Sequence, residues 1–312
     1  MSNAVRCQAL VKTYRGRTPV KAVRGLDLAV ETGECFGLLG PNGAGKTTTM
    51  EILEGLLDAT AGHVEVLGRT WDRDGNDIRP RIGISLQETR LPDKLKVREI
   101  VTLFRSFYPS GLDPAEAIAR VSLEEKAESY VVKLSGGQKQ RLTVACAIVG
   151  DPELLFLDEP TTGLDPQSRR QLWDIIKAYR ASGRTVMLTT HYMDEAERLC
   201  DRVAVVDHGQ VIALGTPNDL IAKLGGNHVI DFSLAEGTQA EVDEFRNLPS
   251  VTAARADAGQ FSLTVGEPHI ALPALLLHLQ KSGRELAGLT TRHATLEDVF
   301  VNLTGRHLRD EK

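Results

Sequence analysis

With 312 residues, 42% hydrophobic and 25% charged, the chain has the composition of a soluble globular protein and a length suited to about two domains. A net charge of −5 leaves no basic stripe, so no nucleic-acid partner is expected. Cys7, Cys35, Cys146 and Cys200 lie too far apart for a zinc site or a disulfide framework and suggest a reducing cytosol. The sequence shows no signal-like leader and no run of about 18 apolar residues, so any membrane role needs another subunit to supply the span.

In chain order, Gln8–Val11 and Val20–Val30 read as strands, followed by the short buried strand Cys35–Leu39. Ile52, Leu53, Leu56 and Leu57 give the next segment a helical spacing. Gly62–Leu67 and Arg81–Leu86 return to strand character, with Asp72–Asp77 read as a polar loop between them, unlike a calcium loop. Val97, Ile100, Val101, Phe104 and Phe107 predict one apolar helix face, and Pro114–Val121 a short helix. A helix over 139–150 is entered at Ser135-Gly136-Gly137, and Leu154–Leu157 is a fully apolar strand. Gln167–Arg180 is amphipathic, Thr185–Thr190 is a buried strand, and Val203–Val206 with Gln210–Ala213 forms a hairpin around His208-Gly209. Trp71 and Trp173 read as packing residues. Strands alternating with helices predict an α/β fold with a mainly parallel sheet covered on both faces. The pattern changes after about residue 222. From 225, strands at His228–Leu234, Gln260–Val265 and Ala287–Thr291 alternate with helices at Thr238–Asn247, Ile270–Lys281 and from Thr295. The expected domains are therefore 1–222 and a small α+β domain over 225–312.

The chemistry concentrates on Gly40-Pro41-Asn42-Gly43-Ala44-Gly45-Lys46-Thr47, which matches the G-x-x-x-x-G-K-[ST] phosphate-binding loop between a strand and a helix. Glycines admit backbone N–H groups to phosphate oxygens, and the helix start adds its positive dipole end. Lys46 can reach the β- and γ-phosphates of a nucleotide, and the Thr47 hydroxyl, beside Thr48, can ligate Mg²⁺. Asp158, ending an apolar strand, supplies a carboxylate for Mg²⁺. Glu159 can accept a proton from, or orient, an attacking water, although by itself it reads better as a helix N-terminal acid.

Leu134-Ser135-Gly136-Gly137-Gln138, taken with Gly40–Thr47 and Asp158-Glu159 in this order, resembles the ATP-binding-cassette (ABC) ATPases over residues 1 to about 220. The resemblance implies a P-loop cassette with an antiparallel β-subdomain and a helical subdomain. It places Gln87 at the Q-loop, Thr162-Gly163-Leu164-Asp165 at the D-loop, His191 at the switch and Tyr14 at the adenine-stacking position. It implies roles for Gln87 toward Mg²⁺ or the water, for His191 toward the γ-phosphate, and for Ser135–Gln138 toward ATP held by a second subunit. Two chains would thus sandwich two nucleotides head to tail, as a homodimer or with a related chain, while Asp165 positions their interface.

The short segment between Gln87 and Leu134 carries no coiled coil, and neither a second cassette nor a span is fused. A separate transporter ATPase at the inner face of the cell membrane is therefore expected, driving an integral permease through the segment after Gln87. The tail, Thr295–Gly305, resembles that of ATPases serving ABC-2-type exporters of the daunorubicin-resistance-like and nodulation-factor kinds. Read from the residues, it is an amphipathic helix with Leu296, Val299, Phe300 and Leu303 on one face. The alternative class is a non-transport ABC ATPase acting on a soluble protein.

Overall fold

The computed structural model describes residues 2–87, 89–235, 240–257 and 259–305, which form two compact units dividing between Leu214 and Gly215. The first unit opens with the paired long strands β1 (Asn3–Tyr14) and β2 (Val20–Glu31), antiparallel to each other. The five buried residues of β3 (Cys35–Leu39) lead into α1 (Lys46–Leu53). β4 (Ala61–Val66) returns to pair antiparallel with β1, so β2-β1-β4 is a separate three-stranded sheet.

The segment expected as a polar loop is instead helix α2 (Trp71–Ile78), bent at Asp74. The Asp74 side chain accepts the Thr70 N–H at 3.2 Å and its own N–H donates to the Thr70 carbonyl, closing the first turn. Trp71, Gly75 and Ile78 turn inward, at helical spacing, Asp74 is half-buried, and Asp72, Arg73, Asn76 and Asp77 stay in water. Trp71 Nε1 donates to the Leu53 carbonyl at 3.0 Å, which satisfies its one polar atom as a packing residue.

β5 (Ile82–Ser85) is followed by α3 (Val97–Arg105) and α4 (Pro114–Arg120). Val97, Ile100 and Val101 are buried as the spacing predicts, but α3 stops before Phe107, which is 68% exposed. α5 (Gly136–Ile148), β6 (Leu154–Asp158), α6 (Pro166–Ala181), β7 (Thr185–Thr190) and α7 (Met193–Leu199) follow. The hairpin β8 (Arg202–Asp207) and β9 (Gln210–Gly215) turns at His208 and Gly209, both at positive φ. The main sheet runs β5-β6-β7-β3-β8-β9, parallel from β5 through β8. Its central strands β3, β6 and β7 are buried along their whole length because both faces are covered. All four cysteines lie buried in this unit, and burial pushes the Cys7 and Cys146 thiols up to about 12.

The second unit starts earlier than the 225 boundary expected from the glycine pair. Helix α8 (Pro217–Ala222) packs on the last helix, α11, so it belongs with the tail and not with the cassette. β10 (His228–Leu234), α9 (Asp243–Arg246), β11 (Val251–Asp257), β12 (Gln260–Val265), α10 (Pro268–Lys281), β13 (Leu286–His293) and α11 (Leu296–Thr304) complete it. The N-terminal part of the helix expected from Thr238 falls outside the described residues; what is described is the single turn α9. β11 was not expected, since its alanines carry little strand signal; pairing along β12 makes it a strand. The antiparallel sheet β11-β12-β10-β13 packs around the mutually contacting rings of Phe232, Phe245 and Phe261. On α11, Asp298 is 3% exposed and gathers the Arg292 guanidinium at 2.7 and 2.9 Å and Arg255 at 3.0 Å. No helix among the described residues is long and apolar enough to cross a membrane.

Candidate functional site

The carboxyl ends of β6, β7 and β3 are neighbours, so the segments leaving them converge where parallel sheets build their sites. Residues 40–45 leave β3 and enter α1 through Gly45, whose φ of 99° is left-handed. A Cβ there would run into the Ala22 carbonyl, so only glycine permits both the turn and the close approach to β2. Gly40, Pro41 and Ala44 are buried while Asn42 and Gly43 face out. The first N–H groups of α1 are left for an anionic ligand.

Lys46 is 4% exposed; its ammonium donates to the Gly40 and Pro41 carbonyls at 2.8 and 3.1 Å and lies 3.5 Å from Glu159 Oε1. Burial lowers its pKa, against the raising influence of Glu159 and Asp158. The Thr47 hydroxyl donates to Asp158 Oδ1 at 3.4 Å, across from α1 to the end of β6. Asp158 is 4% exposed, and burial raises its pKa against the hydrogen bonds it accepts from Thr189 and Thr47.

Glu159 follows at φ 45°, a left-handed conformation rare outside glycine and costly to hold. It is 8% exposed and ringed by polar groups. Gln87 Nε2 donates to its Oε2 at 3.2 Å and the Thr162 hydroxyl donates to the same oxygen at 3.1 Å. His191 Nδ1 lies 3.2 Å from that oxygen, outside hydrogen-bond direction. The approach of His191, then the Lys46 charge, outweighs burial and pulls the Glu159 pKa down to about 2. Sequence reasoning thus named six residues, Lys46, Thr47, Gln87, Asp158, Glu159 and His191, that the fold brings together. It placed Thr162 in the D-loop without giving its hydroxyl a role toward Glu159, and it missed Thr189. Thr189 is fully buried at the end of β7; its hydroxyl donates to Asp158 and accepts the Glu159 N–H at 2.9 Å. The signal was a pair of hydroxyls closing an otherwise apolar strand.

Tyr14, at the end of β1, is 40% exposed, with its hydroxyl 3.3 Å from that of Thr48. The Lys12 ammonium lies over one face of its ring, 5.4 Å from the centroid. Ser135 and Gln138 bond each other as a capping box at the start of α5, and the exposed Asp165 caps α6. Ser135, Gly136 and Asp165 are all solvent-facing, and their described hydrogen bonds stay within their own helix starts rather than reaching the cradle.

Residues 23–162 match the ABC transporter family. The Nod factor export ATP-binding protein I of Ralstonia nicotianae is 39% identical, over 97% of this chain and 94% of its own. That of Cupriavidus pinatubonensis is 43% identical, over 96% and 90%. The chain belongs to the ATP-binding subunits of ABC transporters. Among solved structures, an ATP-binding subunit of an ABC transporter superposes with a TM-score of 0.63 at 28% identity, covering 71% of this chain and 93% of that one. A dimeric ATP-binding cassette in a post-hydrolysis state with ADP and Pi superposes with a TM-score of 0.61 at 26% identity, covering 68% and 98%. This ABC subunit is an ATPase.

Proposed function

We propose that this ABC subunit powers a bacterial ABC-2-type exporter, driving a separate integral permease from the inner face of the membrane. Relatives named for Nod factor export cover both units of the chain, which favours export of a lipid, glycolipid or drug-like cargo. The observation that carries the catalytic part is Glu159, buried and ionised, with Lys46, Gln87 and His191 around it.

In this reading residues 40–48 hold the ATP phosphates, Lys46 stabilises charge on the β- and γ-phosphates, and Tyr14 stacks on adenine. The oxygen donors of Thr47 and Asp158, facing across 3.4 Å, suit a hard cation such as Mg²⁺, with Gln87 at its margin. Mg²⁺ would supply neutralisation of phosphate charge there. Glu159 orients and deprotonates the attacking water, and His191 contacts the γ-phosphate. Ser135, Gly136, Gly137 and Gln138 close on ATP held by a second copy or a related chain, with Asp165 at that interface. ATP binding closes the pair, and the segment after Gln87 passes the motion to the permease.

The test is Glu159→Gln. Turnover should fall by about 100-fold or more while ATP binding persists and a dimer accumulates with ATP. Turnover close to wild type would sink the assignment. Co-purification from membranes with a hydrophobic subunit tests the permease, and recovery with a soluble protein alone would favour a non-transport ATPase.

A further inference from the structure

Two helix starts in the first unit meet at a contact that neither the phosphate loop nor the acids explain. At α5, the Ser135 hydroxyl accepts the Gln138 N–H at 3.2 Å, and Gln138 Oε1 accepts the Ser135 N–H at 3.0 Å. At α6, Asp165 Oδ1 accepts the N–H groups of Gln167 and Ser168, both at 3.0 Å, and Oδ2 accepts the Ser168 hydroxyl at 2.6 Å. The two meet at Gly137. A Cβ on Gly137 would stand 2.6 Å from the Ser168 Cβ and nearer still to its hydroxyl, whereas a Cβ on Gly136 would meet nothing within 4 Å. Of two adjacent glycines, one is buried under Ser168 and the other faces outward. Protein interiors cannot absorb such an overlap without shifting one partner.

We propose that Ser168 is a positioning residue: seated on Gly137 and bonded to Asp165, it makes the Ser135–Gly136 edge and Asp165 one rigid piece. Both segments then reach the second copy's nucleotide at a fixed separation. The proposal rests on the reading that these segments act at that nucleotide. Its distinct content is that position 137 needs glycine to admit Ser168, not to admit ATP.

A double-mutant cycle in the full chain decides this. Gly137→Ala should lower kcat at least about tenfold with the KM for ATP within about threefold of wild type, because the chain's own cradle is untouched. Ser168→Gly alone should cost a few-fold, through loss of the Asp165 bond. Adding Ser168→Gly to Gly137→Ala should recover activity to within about threefold of Ser168→Gly alone, a coupling that independent sites would not show. If the double variant stays as inactive as Gly137→Ala, or if Gly137→Ala is fully active, the proposal is overturned. Should Gly137→Ala fold poorly, the thermal midpoint makes the same decision, since Ser168→Gly must restore it. A wild-type chain without ATP hydrolysis would instead overturn the functional reading, leaving the midpoint cycle to judge the contact.

Discussion

The hydroxyl of Thr189 accepts the backbone N–H of Glu159 at 2.9 Å, and the same hydroxyl donates to the Asp158 carboxylate. One buried oxygen on β7 therefore sets both acids at the end of β6, including the left-handed turn that presents Glu159. Thr189→Val keeps the shape and removes the hydroxyl. It should cost about 1–3 kcal/mol of stability through the orphaned groups and lower kcat about tenfold or more, with ATP affinity nearly unchanged. Steady-state ATP hydrolysis and denaturant unfolding check both, and an unchanged kcat would exclude this positioning role.

Glu54 presents a buried carboxyl whose Oε1 has no hydrogen-bond partner, 3% exposed at the end of α1. Burial, with the charges of Asp158 and Glu51, pushes its pKa up to about 8. The folded state thus keeps a proton that the unfolded chain releases above about pH 4. Its favourable contribution is full below about pH 4 and is lost as pH rises through about 8. Glu54→Gln removes that dependence, so its stability relative to wild type should improve between pH 5 and 8 by up to about 4 kcal/mol. Urea midpoints across that range measure it; parallel curves for the two proteins would rule it out.

Glu159 behaves in the opposite sense. Its depressed pKa means that ionised Glu159 stabilises the fold above the unfolded carboxyl value of about 4, and this is lost as pH falls toward 2. Wild type should therefore lose more stability than Glu159→Gln on acidification from pH 5 to 3. Glu159 should also stay charged from pH 5 to 8, so the acid side of the rate profile is not set by its titration. Unfolding at stepped pH and the pH–rate profile are the two measurements.

Asp298 joins three elements of the second unit through Arg292, Arg255 and the Thr295 N–H. Removing it leaves the half-buried Arg292 charge with Asp231 at 2.8 Å and the His293 carbonyl at 3.3 Å. Asp298→Ala should destabilise the second unit by about 3 kcal/mol or more. Calorimetry of the full chain should show the drop, while the ATP site in the first unit remains intact. An unshifted transition would show that water compensates the loss.

The proposed ATP site was legible because its signals are local. Strand, glycine loop and helix are contiguous at Gly40–Thr47, and an apolar run ending in Asp158-Glu159 places both acids at a strand end. Elements whose reason is tertiary were harder. α2 turns only three residues inward, so its charges resembled a loop. β11 is a strand because β12 lies beside it, and α8 belongs with the tail because α11 covers it. Thr189 carried no motif, and Thr162, though within the D-loop stretch, gave no sign of its bond to Glu159, as a hydroxyl is informative only once its neighbours are known.

The interior thiols of the first unit have a practical consequence. A reagent that attacks thiolate can reach Cys7, Cys35, Cys146 or Cys200 only when the surrounding structure opens. The second unit contains no cysteine, so the labelling rate clocks the breathing of one unit alone. The chain thereby carries a native stopwatch, needing no engineered probe, for how far a bound nucleotide quiets the ATP-binding unit.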